Sequence, residues 1–426
     1  ALSWDEIVVS SGVPLETIRE AGRIAAESKR LIACWAMGLT QHRNGVANVA
    51  SVMNLLLIGG HMGRPGAGAC CVRGHSNVQG DRTMGIWERA PGAFLDALEK
   101  EFDFSSPREP GLDSVDSISA MHEGRVKVFV GLGGNLLAAA PDTDFTSDAM
   151  RRCRMTVHVA TKLNRGHLVP GEISIVLPCL GRSEVDRQAD GDQFVTVEDS
   201  LGVISSSRGS QPPASQQLRS EPAIVAGLAH AVLGDRSTVN WRAVADDYDT
   251  IRDHIANVVP GFEDFNRRIK ADIFTLPNSA RRRRFETDSG RAEFVAQPIP
   301  PDELEVGELL LTTVRSHDQF NTTVYGPNDR YRGVYGGRRI IFVNPADLEA
   351  LGLEHVEFVD VTSHFAGRER VAPKVQVVPY PIARRSAAMY FPEANVLVPI
   401  DSVAAESNTP TSKSVRISLA PTSTTS

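Results

Sequence analysis

The chain has 426 residues, 42% hydrophobic and 23% charged, with a formal net charge of −7. That is material for about two to four ordinary domains, and it excludes a largely disordered chain. The acidic balance disfavours a nucleic-acid-binding surface, although a local basic pocket stays open. No run of about 18 apolar residues occurs, so no transmembrane helix is expected. The first residues, Ala1-Leu2-Ser3-Trp4-Asp5-Glu6, lack an initiator Met and a basic or apolar leader, and read as a cut end rather than a signal peptide. The five cysteines are Cys34, Cys70, Cys71, Cys153 and Cys179, with no C-x-x-C among them. They suit neither a disulfide framework nor a zinc or iron–sulfur site, and point to a reducing compartment, the cytoplasm.

In chain order, Pro14 to Lys29 is predicted helical, with Ile18, Ala21, Ile24 and Ala25 on one face. Arg30 to Trp35 follows as a strand, and Val46 to Ile58 as a helix that Gly59-Gly60 ends. His61 to Asp81 is a long Gly-rich loop of the kind that usually carries function. Pro91 to Lys100 is a helix and Val126 to Val130 a strand entering Gly131-Leu132-Gly133-Gly134-Asn135. Thr146 is the expected N-cap of a helix ending near Arg152. Met155 to Val159 and Ile173 to Leu177 are further strands, and Ala223–Leu233 and Trp241–Val258 further helices. This alternation predicts doubly wound parallel α/β sheets. A Pro- and Arg-rich boundary lies near 275–306, with Arg281 to Arg284 as a solvated basic patch. Beyond it come strands at Leu309–Val314, Val356–Thr362, Val375–Val378 and Ser414–Leu419. A short helix begins at Asn344-Pro345 and stops at Gly352. This last unit is predicted to be a β-barrel, and Pro421 to Ser426 a disordered tail.

Four loops concentrate chemistry. Arg73-Gly74-His75-Ser76-Asn77-Val78-Gln79-Gly80-Asp81 combines glycines with a guanidinium fork suited to carboxylate or phosphate. It is equally readable as a structural loop whose Arg pairs with an acid. The Gly131–Asn135 turn could cradle a pyrophosphate, though on its own the signal is weak and an ordinary strand-to-helix turn is the better reading. It is not G-x-G-x-x-G, which argues against a nicotinamide dehydrogenase. Thr161 to His167 gathers donors at another strand end, and Thr312 to Thr323 does the same where the first barrel strand ends. For both, a solvated loop is the competing reading. The histidines show no metal-ligand spacing, and no G-x-S-x-G or Walker loop occurs.

Taken together with Trp35–Gln41, Gly63–Gly68, Leu177–Arg182 and Thr409–Ser414, these loops resemble, in order, the molybdopterin oxidoreductase family. Within it they resemble the formate-dehydrogenase-like alpha subunits that carry bis-molybdopterin guanine dinucleotide. The resemblance implies α/β domains closed by a C-terminal double-psi β-barrel. Residues 1–76 would be the C-terminal part of one molybdopterin-binding α/β domain, 77–306 a second with its linker, and 307–420 the barrel. It implies the cofactor with molybdenum or tungsten, and a small-molecule substrate such as formate. Any 4Fe-4S cluster, the metal's Cys or selenocysteine ligand and the proton-accepting histidine would lie in a preceding region. None of the five cysteines aligns with that ligand, so the chain is expected to be a C-terminal fragment or to work with a partner chain supplying the N-terminal domains.

The resemblance also assigns residues. Arg73 matches the active-site arginine of formate dehydrogenases. Met37, Gly38 and Gln41 line one pterin dinucleotide. His75 stands where the formate enzymes carry Gln and is read as a donor to the pterin edge. Gly131, Gly133 and Asn135 meet a pyrophosphate, and Thr161, Lys162 and Asn164 the neighbouring guanosine side. Arg315, Ser316, Gln319, Asn321 and Thr322 span the pterins, with Asn408 and Lys413 as the C-terminal contact.

Overall fold

The computed structural model describes residues 2–301, 304–322 and 324–422. Its first unit is a βαβ element. Strand β1 (Ile32–Trp35) pairs in parallel with β2 (Gly68–Cys71), and the helix Gly45–Ile58 connects them. Pro14 precedes the helix Leu15–Glu27 as its N-cap residue rather than lying in the first turn. None of that helix's thirteen residues is buried.

The second unit holds two cores. In one, β3 (Val128–Leu132), β4 (Met155–Ala160) and β5 (Ile173–Pro178) form a parallel sheet in sequence order. The helices Ser114–His122 and Thr143–Arg151 pack their apolar residues with it, around Ile118, Met121, Met150 and Cys153. The N-cap of Thr143–Arg151 is Asp142, not Thr146. Thr146 is buried instead, and its hydroxyl donates to the Pro141 carbonyl at 2.8 Å. The other core joins the helices Gly92–Phe102, Tyr248–Val258 and Phe265–Ala271 to small antiparallel strands. Ile204 and Phe274 bring in the sheet of β8 (Val195–Glu198), β9 (Val203–Ser207) and β10 (Phe274–Thr275); the antiparallel pair β6 (Arg187–Gln188) and β7 (Gly191–Asp192) lies before it in the chain and outside this core. The single helix expected over 241–258 breaks at Asp247, whose carboxylate caps the second half through the Asp249 amide.

The four arginines Arg281–Arg284 of the linker are exposed, as expected of a solvated patch, but two of them are anchored. Arg281 donates to the Leu201 carbonyl at 2.8 Å and Arg283 to the Met62 carbonyl at 3.1 Å, which straps the first unit to the second.

The third unit is a closed barrel, as the resemblance implied. Its strands are β11 (Leu309–Val314), β12 (Ile340–Val343), β13 (Phe358–Phe365), β14 (Arg368–Pro379), β15 (Ser386–Tyr390) and β16 (Val415–Pro421). The order is β11-β15-β12-β14-β13-β16, with β16 closing on β11. β11/β15 and β12/β14 are parallel and the other pairs antiparallel. Along β11, Leu309, Leu311 and Thr313 point inward and alternate with half-buried residues, the period-two pattern of a strand with one core face. Asn344 caps the helix Pro345–Ala350 by accepting from the Ala346 amide at 2.9 Å, as expected. Pro421 belongs to β16, and Thr422 bonds to Phe358 and Asp360, so the strand runs into the predicted tail. Residues 423–426 of that tail lie outside the described residues.

Asp142 clasps the barrel to the second unit. It is 5% exposed, sits at φ 49°, and accepts from the Arg370 guanidinium at 2.5 and 2.9 Å and from the Ile400 amide at 3.3 Å. Asn395 adds donors to the Ala138 and Ala140 carbonyls. Removing a buried carboxylate strands its cationic partner. Asp142→Ala is therefore expected to destabilise the chain by about 3 kcal/mol in urea denaturation, and Asp142→Asn by less because Asn keeps an acceptor and tolerates positive φ. Unchanged midpoints for both variants would show that the clasp is idle.

Candidate functional site

The three strands of the β3–β5 sheet end side by side, and their loops meet there. The Gly133 amide donates to the Val159 carbonyl at 2.8 Å, which ties the Gly131–Asn135 turn to the end of β4. Gly133 adopts φ 71°, and a Cβ there would stand 3.0 Å from the Glu221 carboxylate. A side chain there would be strained by the backbone and would crowd the Glu221 carboxylate. The helix after Asn135 spans only Leu136–Ala139, so this turn does not present the long helix dipole that a pyrophosphate cradle was expected to use.

Beneath the turn lies an unsatisfied polar cluster. Asn135 Oδ1, His158 Nε2 and His167 Nε2 are buried without partners. The His158 and His167 rings meet edge to face at 4.6 Å. Burial, helped by the neighbouring His167, holds His158 below its ordinary pKa. Of the predicted residues in the next loop, Asn164 is structural. Its Oδ1 accepts from the Gly166 amide at 2.9 Å, and its own amide donates to His167 Nδ1 at 3.0 Å. Thr161 and Lys162 are exposed, and Lys162 has no ion-pair partner among the described residues.

In the first unit β1 and β2 aim two segments at the same place. Val72 extends the ladder by donating to the Trp35 carbonyl at 2.7 Å. Met37, Gly38 and Gln41 follow β1 on a single helical turn, with the Gln41 amide group 3.5 Å from the Met37 sulfur. Arg73 and His75 follow β2, both exposed. A Cβ on Gly74 would lie 3.3 Å from the Met37 methyl, so the two segments touch. Arg73 pairs with no acid among the described residues. It donates to the neutral Gln79 side chain at 2.8 Å.

The barrel contributes its β11 loop and the 408–413 segment. The Lys413 amide donates to the Gln41 carbonyl at 3.0 Å, joining barrel and first unit beside the Met37 turn. The half-buried Lys413 ammonium bonds to the backbone and hydroxyl oxygens of Thr313. Burial, and then repulsion from Arg315, push it down to about 8. Among the described residues the Arg315 guanidinium donates to the Asn321 side chain alone, at 3.3 Å. Asn321 and Asn408 both hold positive φ, at 52° and 49°. Thr322 is half-buried, and Thr323 of the predicted loop lies outside the described residues.

Ser316, Gln319 and Asn408 turn out to be framework. Ser316 and Gln319 are consumed by Arg338, at 2.6 and 3.0 Å, and Gln319 also donates to the Phe391 carbonyl at 2.8 Å. Asn408 donates to the Asp113 carboxylate at 2.8 Å. Arg338 escaped the sequence reading; its signal is only an Arg in a Gly-Gly-Arg-Arg turn before a buried strand.

Five arginines of the barrel are structural. Arg332, Arg338, Arg370, Arg384 and Arg416 of the barrel each find a carboxylate. Arg73, Lys162, Arg315 and Lys413 find none among the described residues. Arg315 and Lys413 lie close enough to repel each other, and cations without acids, together with the unsatisfied buried polar atoms at the Gly131 turn, fit a ligand with several anionic groups. A phosphorylated pterin dinucleotide is such a ligand. No group of three or more His, Cys, Asp or Glu among the described residues could hold a metal by itself.

Residues 309–416 match the Molydopterin dinucleotide binding domain family. An uncharacterized oxidoreductase of Mycobacterium tuberculosis is 49% identical over 425 residues, 98% of this chain and 55% of that protein. The protein YdeP of Escherichia coli is 42% identical over 425 residues, 98% of this chain and 56% of that protein. The chain thus spans about half the length of the curated relatives it matches. Acetylene hydratase from Pelobacter acetylenicus shares the fold, with a TM-score of 0.63 over 96% of this chain and 63% of that one, at 13% identity. The chain belongs to the molybdopterin oxidoreductase family.

Lys413 makes the site's charge measurable. Its folded value of about 8 lies below its ordinary 10.5. Below pH 8 both folded and unfolded chains hold the proton, and the burial penalty is at its maximum. Between pH 8 and about 10.5 only the unfolded chain holds it, so stability rises with pH, by on the order of 3 kcal/mol at most. Stability measured in urea from pH 7 to 10 should show this rise in the ligand-free chain, and Lys413→Met should flatten it. An equal slope in the variant would assign the rise to other groups.

Proposed function

We propose that this chain is the dinucleotide-holding portion of a bis-molybdopterin guanine dinucleotide oxidoreductase that acts on formate or a similar small carboxylate. The observation that carries the reading is the set of four cations, Arg73, Lys162, Arg315 and Lys413, that no acid neutralises among the described residues. Two dinucleotides bring four phosphates, and the barrel loop, the Gly131–Asn135 turn and the Thr161–Lys162 segment supply the matching amides and charges. Met37, Gly38 and Gln41 offer an apolar edge and an amide to one pterin, and His75 a ring nitrogen.

When bound, the group supplies an oxidising molybdenum or tungsten centre that accepts two electrons from the substrate. Arg73 does the positioning. Its planar fork suits a carboxylate in two-point contact, and the Gln79 bond at 2.8 Å orients the guanidinium without cancelling its charge. That charge also favours whichever substrate state carries the more concentrated negative charge.

The metal ligand, any 4Fe-4S cluster and the proton acceptor belong, in this reading, to the remainder of the family chain, on the same polypeptide or on a partner chain. The unburied helix Leu15–Glu27 supports that reading. So do the exposed apolar residues Val128, Val130, Ile173 and Val176 on the β3–β5 sheet. A cytoplasmic setting accords with five free thiols. No helix among the described residues is long and apolar enough to cross a membrane.

Arg73→Ala, made in the protein with its full complement of family domains, is expected to lower formate turnover by a factor of about 100 or more while leaving metal and guanine nucleotide content within a factor of about two. Parallel loss of turnover and cofactor would make Arg73 a cofactor-holding residue and remove it from substrate docking.

A further inference from the structure

Two cysteines stand directly opposite each other on the strands that aim the site. Cys34 of β1 and Cys70 of β2 are register partners in a parallel pair, so their side chains lie on one face of the sheet. Neighbouring strands put such Cα atoms about 4.8 Å apart, within the range that a disulfide spans. Both are free thiols; Cys34 is exposed and Cys70 half-buried. Cys71 follows Cys70 in an extended strand and faces the other side.

We infer that Cys34 and Cys70 form a redox-active dithiol, closed to a disulfide by low-molecular-weight disulfides of the glutathione type. The exposed Cys34 thiolate attacks one sulfur of the oxidant, forming a mixed disulfide and releasing one thiol. The Cys70 thiolate then attacks the Cys34 sulfur, closing the Cys34–Cys70 bond and releasing the second thiol. Two protein thiols are oxidised, one small disulfide is reduced to two thiols, and the two protons pass from the protein to the released thiols. The order follows from environment. Burial, then the neighbouring Cys34, keep the Cys70 thiol above its ordinary pKa, so Cys70 is the slower initiator, and its place opposite Cys34 makes it the resolver.

The bond would sit three residues before Met37 on one strand and three before Arg73 on the other (37 − 34 and 73 − 70). The Met37 methyl crosses the same gap, near enough to Gly74 that a Cβ there would meet it at 3.3 Å. Closing the disulfide therefore fixes the spacing of the Met37 and Arg73 segments. This consequence for activity rests on the functional reading above; the thiol chemistry does not.

The test is a titration of the reduced chain with oxidised glutathione under anaerobic conditions, followed by acid quench, alkylation and peptide mass spectrometry. The expected product is a Cys34–Cys70 cross-linked peptide, at least about tenfold over the mixed disulfide, because ring closure is intramolecular. Cys71 should remain alkylated, and Cys71→Ser should leave the cross-link intact. In Cys70→Ser, Cys34 should stop at the mixed disulfide. A wild-type chain that stops there, or one that cross-links through Cys71, would overturn the proposal. Amide exchange over residues 72–79 should slow on oxidation. Unchanged exchange with the cross-link present would overturn the coupling to the Arg73 segment.

Discussion

A half-buried ammonium with no carboxylate partner among the described residues joins two units of this molecule. Lys413 uses its backbone to hold the first α/β unit at Gln41 and its side chain to reach Thr313 inside the barrel mouth. Arg315 presses on it electrostatically. Such an arrangement is unfavourable in an isolated chain, and it persists because the surrounding framework is over-determined. Arg338 gathers Ser316, Gln319 and Glu393, and Asp142 binds Arg370 and Ile400. The stability is supplied where cations meet acids, and the strain sits where they do not.

The same division runs through the α/β units. Loops at the ends of β3 and β4 hold each other by backbone bonds, leaving exposed cations above them and unsatisfied histidines below. The Met37 and Arg73 segments are set by one strand pair, so their separation depends on a ladder of four residues. That economy makes the pair adjustable, and it is where the two thiols stand opposite each other.

Much of the fold was legible from residue pattern. Leu309–Val314 was placed to the residue, because its alternation is that of a half-buried strand. β12 and β15 escaped because they are buried on both faces and carry no alternation. Thr146 misled because a Thr before an apolar run reads as a cap, whereas here Asp142 takes that place while also clasping the barrel. At the site, residue type pointed to the right loops but not to each residue's task. Ser316, Gln319, Asn164 and Asn408 lie in those loops and spend their hydrogen bonds on the framework. Only three-dimensional partners separate them from Arg73, Lys162, Arg315 and Lys413.

The central claim is that these unneutralised cations hold the phosphates of pterin guanine dinucleotides. The most direct measurement is metal by elemental analysis together with GMP released by acid hydrolysis. It should be made on the protein carrying its full family domains and produced in a host that makes the cofactor. The account predicts molybdenum or tungsten with about two GMP per metal. It also predicts a fall in both when Lys413 and Arg315 are replaced by Met. Protein that is folded and free of both metal and GMP would contradict it.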